Sequence, residues 1–366
     1  MSLKITHLTS AHPRYDTRIF LKECCSLAKV YEVNLVVADE LNDEKKDGVT
    51  VYDVGISKGR LNRIFKTTKR VLDKAIELDS DIYHLHDPEL MLIGLKLKKM
   101  GKKVIFDAHE DLPKQVMAKH YLGSFSKKIL SFMVAKLEIL ILKKYDMVIS
   151  ATPIIRDKFL GNSIKSVDIN NFPMIDELME IEPSFQSNTL CYIGLLYETR
   201  GIREMVQAIE GLDVKLIVAG KFFDGSFEED IKSLKGWEKV DFRGFASRDE
   251  VKEILKSSIA GLVTLHPTPS YVEAYPVKMF EYMSAGVAVI ASDFPLYRAF
   301  VEESGSGICV NPLAVDEIKE AISMLLTEKS NSKEMGKNGK EAIKKSYNWH
   351  NEEQKLMKSY RGLLDG

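Results

Sequence analysis

The segment that most constrains the fold runs from Tyr271 to Asp293, with the sequence YVEAYPVKMFEYMSAGVAVIASD. A short helix is predicted from Pro276 to about Ala285, because proline is favoured at the first helical position. Gly286 then ends it, as glycine often does just past a helix. Val287 to Ala291 is entirely apolar, which is the pattern of a parallel strand buried on both faces. The segment therefore predicts an α/β fold with a parallel sheet.

The charged residues of this segment predict an anion site. A helix N-terminus offers free backbone N–H groups and about half a positive charge, and Lys278 in the first turn adds a full charge. Glu281 shares a helix face with Lys278 and can accept the hydroxyls of a ribose. Glu273 lies in the preceding loop, where it can face a group attached to the phosphates. A nucleotide-sugar site is one interpretation, and an ordinary helix with solvated charges is the other.

The segment resembles the glutamate-x7-glutamate signature of the retaining glycosyltransferases of family four, in the form P-x-K-x-x-E-Y-M-x-x-G-x-x-V-I-A-S-D. The resemblance implies the GT-B fold, in which two Rossmann-like α/β domains with parallel sheets face each other across a cleft. Most members carry Gly-Phe-Gly-Leu after the first glutamate. This chain has Ala274, Tyr275, Pro276 and Val277 there, and these residues are expected to approach the donor diphosphate with Lys278.

Strands alternating with helices occur twice along the 366 residues, which predicts two domains. A polar stretch between them, Asn171 to Asn188, contains two prolines and suits a linker. We expect residues 1–170 to form an acceptor-binding Rossmann-like domain and residues 171–350 a nucleotide-sugar-binding one. The resemblance implies that a C-terminal helix, residues 351–366, packs back on the first domain.

The loop GLLYETRG, from Gly194 to Gly201, resembles the family's G-R-L-x-x-x-K-G loop, whose basic residues hold the diphosphate. Arg200 stands in place of the lysine and can bind phosphate as a fork. Leu195 stands in place of the arginine. Gly194 and Arg200 are therefore expected to bind the donor. Phe245 matches a family position beside the base, and a place in the core is its alternative.

In the first half, HPRYDTRIFLKECCSLAK and DAHEDLP resemble a subgroup of the same enzymes. The resemblance implies that His109 faces the donor sugar together with Glu273, so both are candidate catalytic residues. A structural hydrogen bond is the alternative for His109, and His84 is expected to be structural. Asp16 and Arg18 are candidate acceptor-side residues.

No metal site and no cofactor are expected. Asp107 to Asp111 contains ligand residue types, but neighbours in one loop rarely converge on one ion. The net charge of −1 gives no field that would favour nucleic acid. The four cysteines show no metal spacing, and the N-terminus enters a strand at once without room for a signal peptide. We therefore expect a cytoplasmic protein.

Phe125 to Leu142 is apolar on most faces and has lysines near both ends. A buried helix is the expectation. The alternative is a surface that touches an anionic membrane. Lipid-linked acceptors are common in the family, so peripheral contact at the inner face of the membrane stays open.

The predicted activity is transfer of a hexosyl group from a nucleotide sugar to a glycan, lipid-linked or small-molecule acceptor. The resemblance implies retention of configuration and a role in polysaccharide biosynthesis. Metal independence is expected because the sequence offers basic residues and a helix N-terminus for the diphosphate but no convincing metal cluster. One alternative is a non-catalytic nucleotide-sugar-binding protein. Another is a nicotinamide-dependent oxidoreductase, against which no G-x-G-x-x-G follows the first strand.

Overall fold

The computed structural model describes residues 3–117 and 123–364. The chain divides into two compact units, Met1–Asn171 with Asn351–Gly366, and Phe172–His350. Each unit alternates strands with helices around its own sheet, which confirms the predicted α/β class.

In the described part of the first unit, eight strands form one sheet in the order β3-β4-β2-β1-β5-β6-β7-β8. All neighbouring strands are parallel except the edge pair of β3 and β4. The strands are β1 Lys4–Leu8, β2 Glu32–Val37, β3 Glu44–Lys46, β4 Val49–Asp53, β5 Ile82–Leu85, β6 Lys103–Ala108, β7 Met147–Ser150 and β8 Ser166–Asp168.

Helices connect these strands. They are α1 Cys25–Leu27, α2 Arg60–Asn62, α3 Thr68–Leu78, α4 Met91–Lys99, α5 Leu112–Met117, α6 Ser124–Leu142 and α7 Pro153–Leu160. Two π-helical turns, Thr17–Cys24 and Arg63–Thr67, and a 3-10 turn, Pro88–Leu90, extend them.

The short edge strand β3 is absent from the sequence prediction. Its three charged residues show no apolar alternation, because an edge strand need not bury either face. The turn that joins it to β4 is a sequence feature that could have predicted this strand. Asp47 and Gly48 have φ of 49° and 83°, as in the two-residue Asp-Gly turn that connects hairpin strands.

In the described part of the second unit, six parallel strands form a sheet in the order β11-β10-β9-β12-β13-β14. The predicted buried strand at 287–291 is confirmed with a shift of one residue, since β13 is fully buried and pairs with β12 and β14. The strands are β9 Thr189–Ile193, β10 Lys215–Ala219, β11 Val240–Gly244, β12 Ala260–Val263, β13 Ala288–Ser292 and β14 Gly307–Val310.

The helix before β13 ends as predicted. Pro276 forms the N-cap, the helix begins one residue later than expected, and Gly286 ends it with φ of 75°. The helices of this unit are α8 Ile175–Leu178, α9 Ile202–Ala208, α10 Gly225–Ser233, α11 Arg248–Ser257, α12 Pro269–Val272, α13 Val277–Ala285, α14 Pro295–Ser304, α15 Val315–Thr327 and α16 Lys329–Lys345, with 3-10 turns at Glu198–Arg200 and Lys235–Lys239.

The last helix, α17, spans Trp349–Leu364, and its residues from 351 onward belong to the first unit. There Glu352 accepts hydrogen bonds from the backbone and the side chain of Asn170, and the Tyr360 ring is fully buried.

In each sheet the chain first adds strands on one side of its first central strand and later adds strands on the other side. This strand is β1 in the first unit and β9 in the second. Ligands of open α/β sheets bind beyond the carboxyl ends of the strands at such switch points. These edges carry Thr9 and His86 in the first unit, and Gly194 and Thr264 in the second.

The expectation that Phe125 to Leu142 forms a buried helix is wrong. Helix α6 forms there, but a stripe along its length is exposed, with Phe125 at 78% and Phe132 at 64%. The stripe recurs at helical spacing, which sequence periodicity could not assign to core or surface. Its apolar members are Phe125, Ile129, Phe132, Met133, Leu137 and Leu140.

Candidate functional site

The switch point of the second unit is built for close backbone approach. Gly194, directly after β9, has φ of 143°, and a Cβ added there would lie 2.9 Å from the Lys278 ammonium. Gly201 has φ of 74°, and a Cβ there would meet the Thr264 carbonyl at 2.0 Å. Both glycines of the predicted diphosphate loop are thus required by the local geometry.

Lys278 lies at this edge with its ammonium buried. Its Nζ sits 3.8 Å from the centre of the Tyr192 ring and has no hydrogen-bond acceptor among the described residues. Burial and the positive charge of Arg200 hold the pKa of Lys278 well below its usual value. A buried, unpaired cation is costly, and an incoming anion would offset that cost.

Arg200 closes the 3-10 turn that follows β9. Its guanidinium carbon lies 4.8 Å from the centre of the Tyr271 ring, and its Nε is buried without an acceptor in the described part of the chain. The influence of Arg200 on the pKa of Lys278 shows that the two cations share one neighbourhood. The structure therefore brings together the two predicted basic residues, which lie far apart in sequence.

The N-terminus of α13 adds backbone donors. No side chain caps it within the described residues, since the cap position is Pro276. Val277 is partly exposed at this end, and Ala274 donates its backbone N–H to the Tyr271 carbonyl. The Tyr275 ring packs within an aromatic cluster that includes Phe300.

The two predicted glutamates have different surroundings. Arg248 donates a hydrogen bond of 2.8 Å to Glu281, and both side chains keep access to solvent. A ribose at this carboxylate would therefore bind beside, or displace, the Arg248 guanidinium. Glu273 ends helix α12 with φ of −114° and is half-buried.

The alternative that places Phe245 in the core is wrong. Phe245 follows Gly244, whose φ is 62°, and the ring is 89% exposed. An aromatic ring this exposed beside the carboxyl end of β11 is free to stack on a flat ligand.

The first unit brings its predicted histidine against a buried carboxylate. His109 Nε2 lies 3.0 Å from Asp107 Oδ2, and the His109 side chain is 23% exposed. Its Nε2 also lies 3.3 Å from His86 Nδ1. Burial works against ionisation of Asp107, but Arg18 and His109 outweigh it and hold the pKa of Asp107 well below its usual range. His109 thus has its structural hydrogen bond and an exposed edge as well.

Arg18 and Asp16 both have roles inside the first unit. The Arg18 guanidinium is buried and donates two hydrogen bonds to Asp107 and one to the Ile169 carbonyl. Asp16 caps the π-helical turn by accepting from the backbone N–H groups of Arg18 and Ile19. Burial raises the pKa of Asp16, but His12 and these N–H groups lower it by a larger amount, so the net shift is downward. Arg18 therefore positions Asp107. Direct contact of Asp16 or Arg18 with the acceptor stays a prediction.

Several residues of these sites were missed by sequence reasoning. Tyr192 and Tyr271 supply the ring faces against Lys278 and Arg200, and Arg248 pairs with Glu281. No local motif identifies them, because each contact joins distant segments. His84, expected to be structural, is fully buried, and its Nδ1 lies 2.9 Å from the Tyr360 hydroxyl.

The second unit matches a known sequence family. Residues 175–342 match the family model of group 1 glycosyl transferases, and this segment contains the predicted donor-binding residues of the second unit but not His109. The chain is also similar to an uncharacterized glycosyltransferase from Methanocaldococcus jannaschii, at 25% identity over 296 residues that cover 75% of this chain and 71% of the relative. The comparisons thus support the glycosyltransferase class.

Solved structures identify the fold. Sucrose-phosphate synthase from Thermosynechococcus elongatus superposes with a TM-score of 0.80 and 16% identity, over 99% of both chains. HepE of Anabaena, solved in complex with UDP-glucose, has a TM-score of 0.74 and 15% identity, over 98% of this chain and 100% of the HepE chain. These likenesses show the fold alone, which is the two-domain α/β fold of GT-B glycosyltransferases. No helix among the described residues combines the length and apolar character needed to cross a membrane.

Proposed function

We propose that this protein transfers a sugar from a nucleoside-diphosphate sugar to an acceptor with retention of anomeric configuration. The observation that carries the proposal is that the Lys278 ammonium and Nε of the half-buried Arg200 are both buried and lack acceptors within the described chain. They lie in one neighbourhood with the uncapped N-terminus of α13. A diphosphate supplies the negative charge and the acceptor oxygens that all three groups lack.

The remaining donor-side residues then take separate parts of the ligand. Glu281 accepts the ribose hydroxyls, and the exposed Phe245 ring stacks on the base. Val277 offers its backbone N–H to the diphosphate at the start of α13. The N–H groups of Gly194 and Ala274 are already bonded within the unit and Pro276 has none, so these three residues and Tyr275 shape the approach to the diphosphate. Glu273 and His109 are the groups proposed to address the donor sugar.

The proposed reaction breaks the bond between the sugar's anomeric carbon and the diphosphate oxygen, and forms a bond to an acceptor hydroxyl on the same face. The departing diphosphate takes the acceptor proton, so no separate general base is needed. Arg200, Lys278 and the helix N-terminus stabilise the charge that develops on the leaving oxygen. Because these groups supply the positive charge that a metal ion would otherwise contribute, we propose that the reaction needs no metal.

A lipid-linked acceptor is favoured by the exposed stripe of α6. Soluble surfaces rarely expose so many large apolar side chains in one row. Exposed lysines accompany the stripe, among them Lys128 and Lys136, with Lys143 and Lys144 directly after the helix. Apolar residues flanked by lysines fit the surface of an anionic bilayer, so we propose peripheral contact at the inner face of the membrane and a role in polysaccharide assembly.

The function is tested with the full-length protein and a panel of nucleoside diphosphates and their sugars. A ligand that binds the native state raises the melting temperature by mass action, so the panel identifies the base and the sugar, beginning with UDP-glucose. Turnover is then followed as release of the nucleoside diphosphate with and without EDTA. The configuration of the product is read by proton NMR.

Retained configuration and turnover unaffected by EDTA are expected. Inversion of configuration, or a requirement for an added divalent ion, would contradict the proposal. Binding without turnover across a range of acceptors, including lipid extracts, would favour the non-catalytic nucleotide-sugar-binding protein instead.

A further inference from the structure

Four buried side chains of the first unit converge on one point beneath its switch point. They are His7 of β1, His84 of β5, His86 just after β5, and Glu23 of the π-helical turn. None is more than 2% exposed, and one ligand atom from each lies within 4.8 Å of all the others. The donor-side cations belong to the other unit, so a site formed by these four side chains does not depend on the proposed diphosphate site, although His86 contacts His109.

The fold produces this convergence directly. His7 and His84 are register partners on the neighbouring parallel strands β1 and β5. His86 lies two residues after His84, so the period of a strand places it on the same face of the sheet. Three imidazoles on one face of two adjacent strands make a ready set of nitrogen ligands, and Glu23 reaches the same face from the turn Thr17–Cys24.

Of the four side chains, Glu23 gives the strongest indication that an ion binds here. Both of its carboxylate oxygens are buried and have no hydrogen-bond partner within the described chain. Arg18 Nε lies 3.2 Å from Oε1, but the hydrogen bonds of this guanidinium go to Asp107 and the Ile169 carbonyl. Arg18 therefore gives Glu23 an ion pair but no hydrogen bond, and a further cation would stabilise this buried carboxylate.

The distances suit a tetrahedral ion. His7 Nδ1 and His86 Nε2 are 2.9 Å apart, while Glu23 Oε2 lies 3.8 Å from His84 Nδ1 and 4.0 Å from His7 Nδ1. Zinc bonds of roughly 2.0–2.1 Å in a tetrahedron place neighbouring ligand atoms about 3.4 Å apart. The observed separations lie on both sides of that value, so small side-chain adjustments close the site.

The outer contacts of two of the three histidines, His86 and His7, also match those of a metal site, whereas His84 Nε2 has no partner within the described chain. Ligating histidines donate their second ring N–H to a carboxylate or another polar group, which fixes the ring. His86 Nδ1 lies 3.2 Å from Asp107 Oδ2, and His7 Nε2 lies 3.5 Å from the Tyr360 hydroxyl. Asp107 is itself held by Arg18. The metal would replace the present contact of Tyr360 with His84 Nδ1.

We propose that His7, His84, His86 and Glu23 hold one Zn²⁺. Four protein ligands fill the tetrahedral shell, so the ion is structural and ties β1 and β5 to the turn that carries Arg18. The sequence did not indicate this site because its ligands come from segments that are distant along the chain.

The first test is the metal content of the untagged full-length protein, purified without chelator from zinc-supplemented cells. One equivalent of zinc per chain is expected. After exchange with Co²⁺, the visible absorption bands of tetrahedral cobalt are expected as well. Zinc below about a tenth of an equivalent, with no cobalt bands, would overturn the proposal whatever the variants do.

Variants then locate the ion. Glu23→Gln and His84→Asn are each expected to weaken zinc binding at least about tenfold, the lower bound for loss of even an outer-shell partner. His12→Gln changes a histidine of the same unit outside the set and should keep the full zinc content. Zinc bound equally by Glu23→Gln and the wild type would overturn the assignment.

Glu23→Gln also separates the metal site from a simple buried network. Without a metal, replacing a buried unpartnered carboxylate with an amide should leave the melting temperature unchanged or higher. With the metal, added zinc raises the melting temperature of the metal-stripped wild type by mass action, and this increase is lost in the variant. The same zinc-dependent increase in both proteins would contradict the proposal.

Discussion

The Lys278 ammonium lies 3.8 Å from the centre of the Tyr192 ring and is buried without a hydrogen-bond acceptor among the described residues. The ring face attracts the cation, but it replaces only part of the hydration that burial removes. The ligand-free unit therefore carries an unfavourable charge. A diphosphate would relieve it, so the free energy of donor binding includes the removal of this cost.

The first prediction concerns the lowered pKa of Lys278, which burial and Arg200 cause. Lys278→Met should raise the melting temperature of the ligand-free protein at neutral pH, because it removes a buried charge. The unfolded lysine binds its proton up to its ordinary pKa of 10.5, whereas the folded lysine loses it earlier. Wild-type stability therefore rises with pH between the lowered pKa and 10.5, and the advantage of the variant should shrink.

The measurement is the melting temperature of both proteins across this pH range. Lys221→Met, at an exposed lysine of the same unit, is the control and should show little difference at any pH. A difference for Lys278→Met that stays constant with pH would contradict the burial of a charged ammonium.

The second prediction concerns the ribose. Glu281→Gln should weaken the binding of nucleoside and nucleoside diphosphate alike by about tenfold or more, because a hydrogen bond to a charged group is worth roughly 1.5–3 kcal/mol. Calorimetric titration measures both affinities. Glu302→Gln is the matched control, since Glu302 pairs with Arg298 on α14 as Glu281 pairs with Arg248. Unchanged nucleoside affinity in folded Glu281→Gln would exclude the ribose role.

The third prediction concerns His109, which combines an exposed edge with a 3.0 Å contact to Asp107. His109→Asn should lower turnover by about a hundredfold, the loss seen when one donor to a transition state is removed. Nucleoside diphosphate affinity should stay within about twofold, since the proposed contact is to the sugar. Steady-state kinetics and calorimetry together test this. Full turnover would assign His109 to the structural hydrogen bond alone.

The fourth prediction concerns the stripe on α6. Phe132→Ser should weaken binding to vesicles of anionic lipid by about tenfold, because burying an aromatic side chain contributes roughly 1.5–3 kcal/mol. Co-sedimentation with vesicles measures the effect. Phe65→Ser is the matched control, a phenylalanine of the same unit that is 71% exposed but lies outside the stripe. Equal losses in both variants, or no binding by the wild type, would contradict the membrane surface.

The sequence predicted those parts of the fold whose signals are local. Pro276 and Gly286 marked the two ends of α13, and the apolar run after them marked β13 within one residue. The exposure of α6 was not predictable, because an apolar stripe has the same period whether it faces a core or a membrane. Strand β3 was not predicted because its residues are all charged, although the Asp-Gly turn beside it is a recognisable hairpin motif.

The candidate site divides in the same way. Lys278 and Glu281 belong to one local signature and Arg200 to another, and all three were predicted from these signatures, while Tyr192 and Arg248 were not. The contacts of the latter two arise only when β9, α11 and α13 pack together. The cluster of His7, His84, His86 and Glu23 is the extreme case, since strand register alone brings two of its members side by side.

The central claim is that Lys278 and Arg200 bind the diphosphate of the donor. Calorimetric titration of the wild type, Lys278→Met and Arg200→Ala with a nucleoside and its diphosphate tests it most directly. Each variant should bind the diphosphate about tenfold or more weakly, a loss of at least about 1.4 kcal/mol, while nucleoside affinity hardly changes. Equal losses for the two ligands, or an unchanged diphosphate affinity in Lys278→Met, would contradict the account.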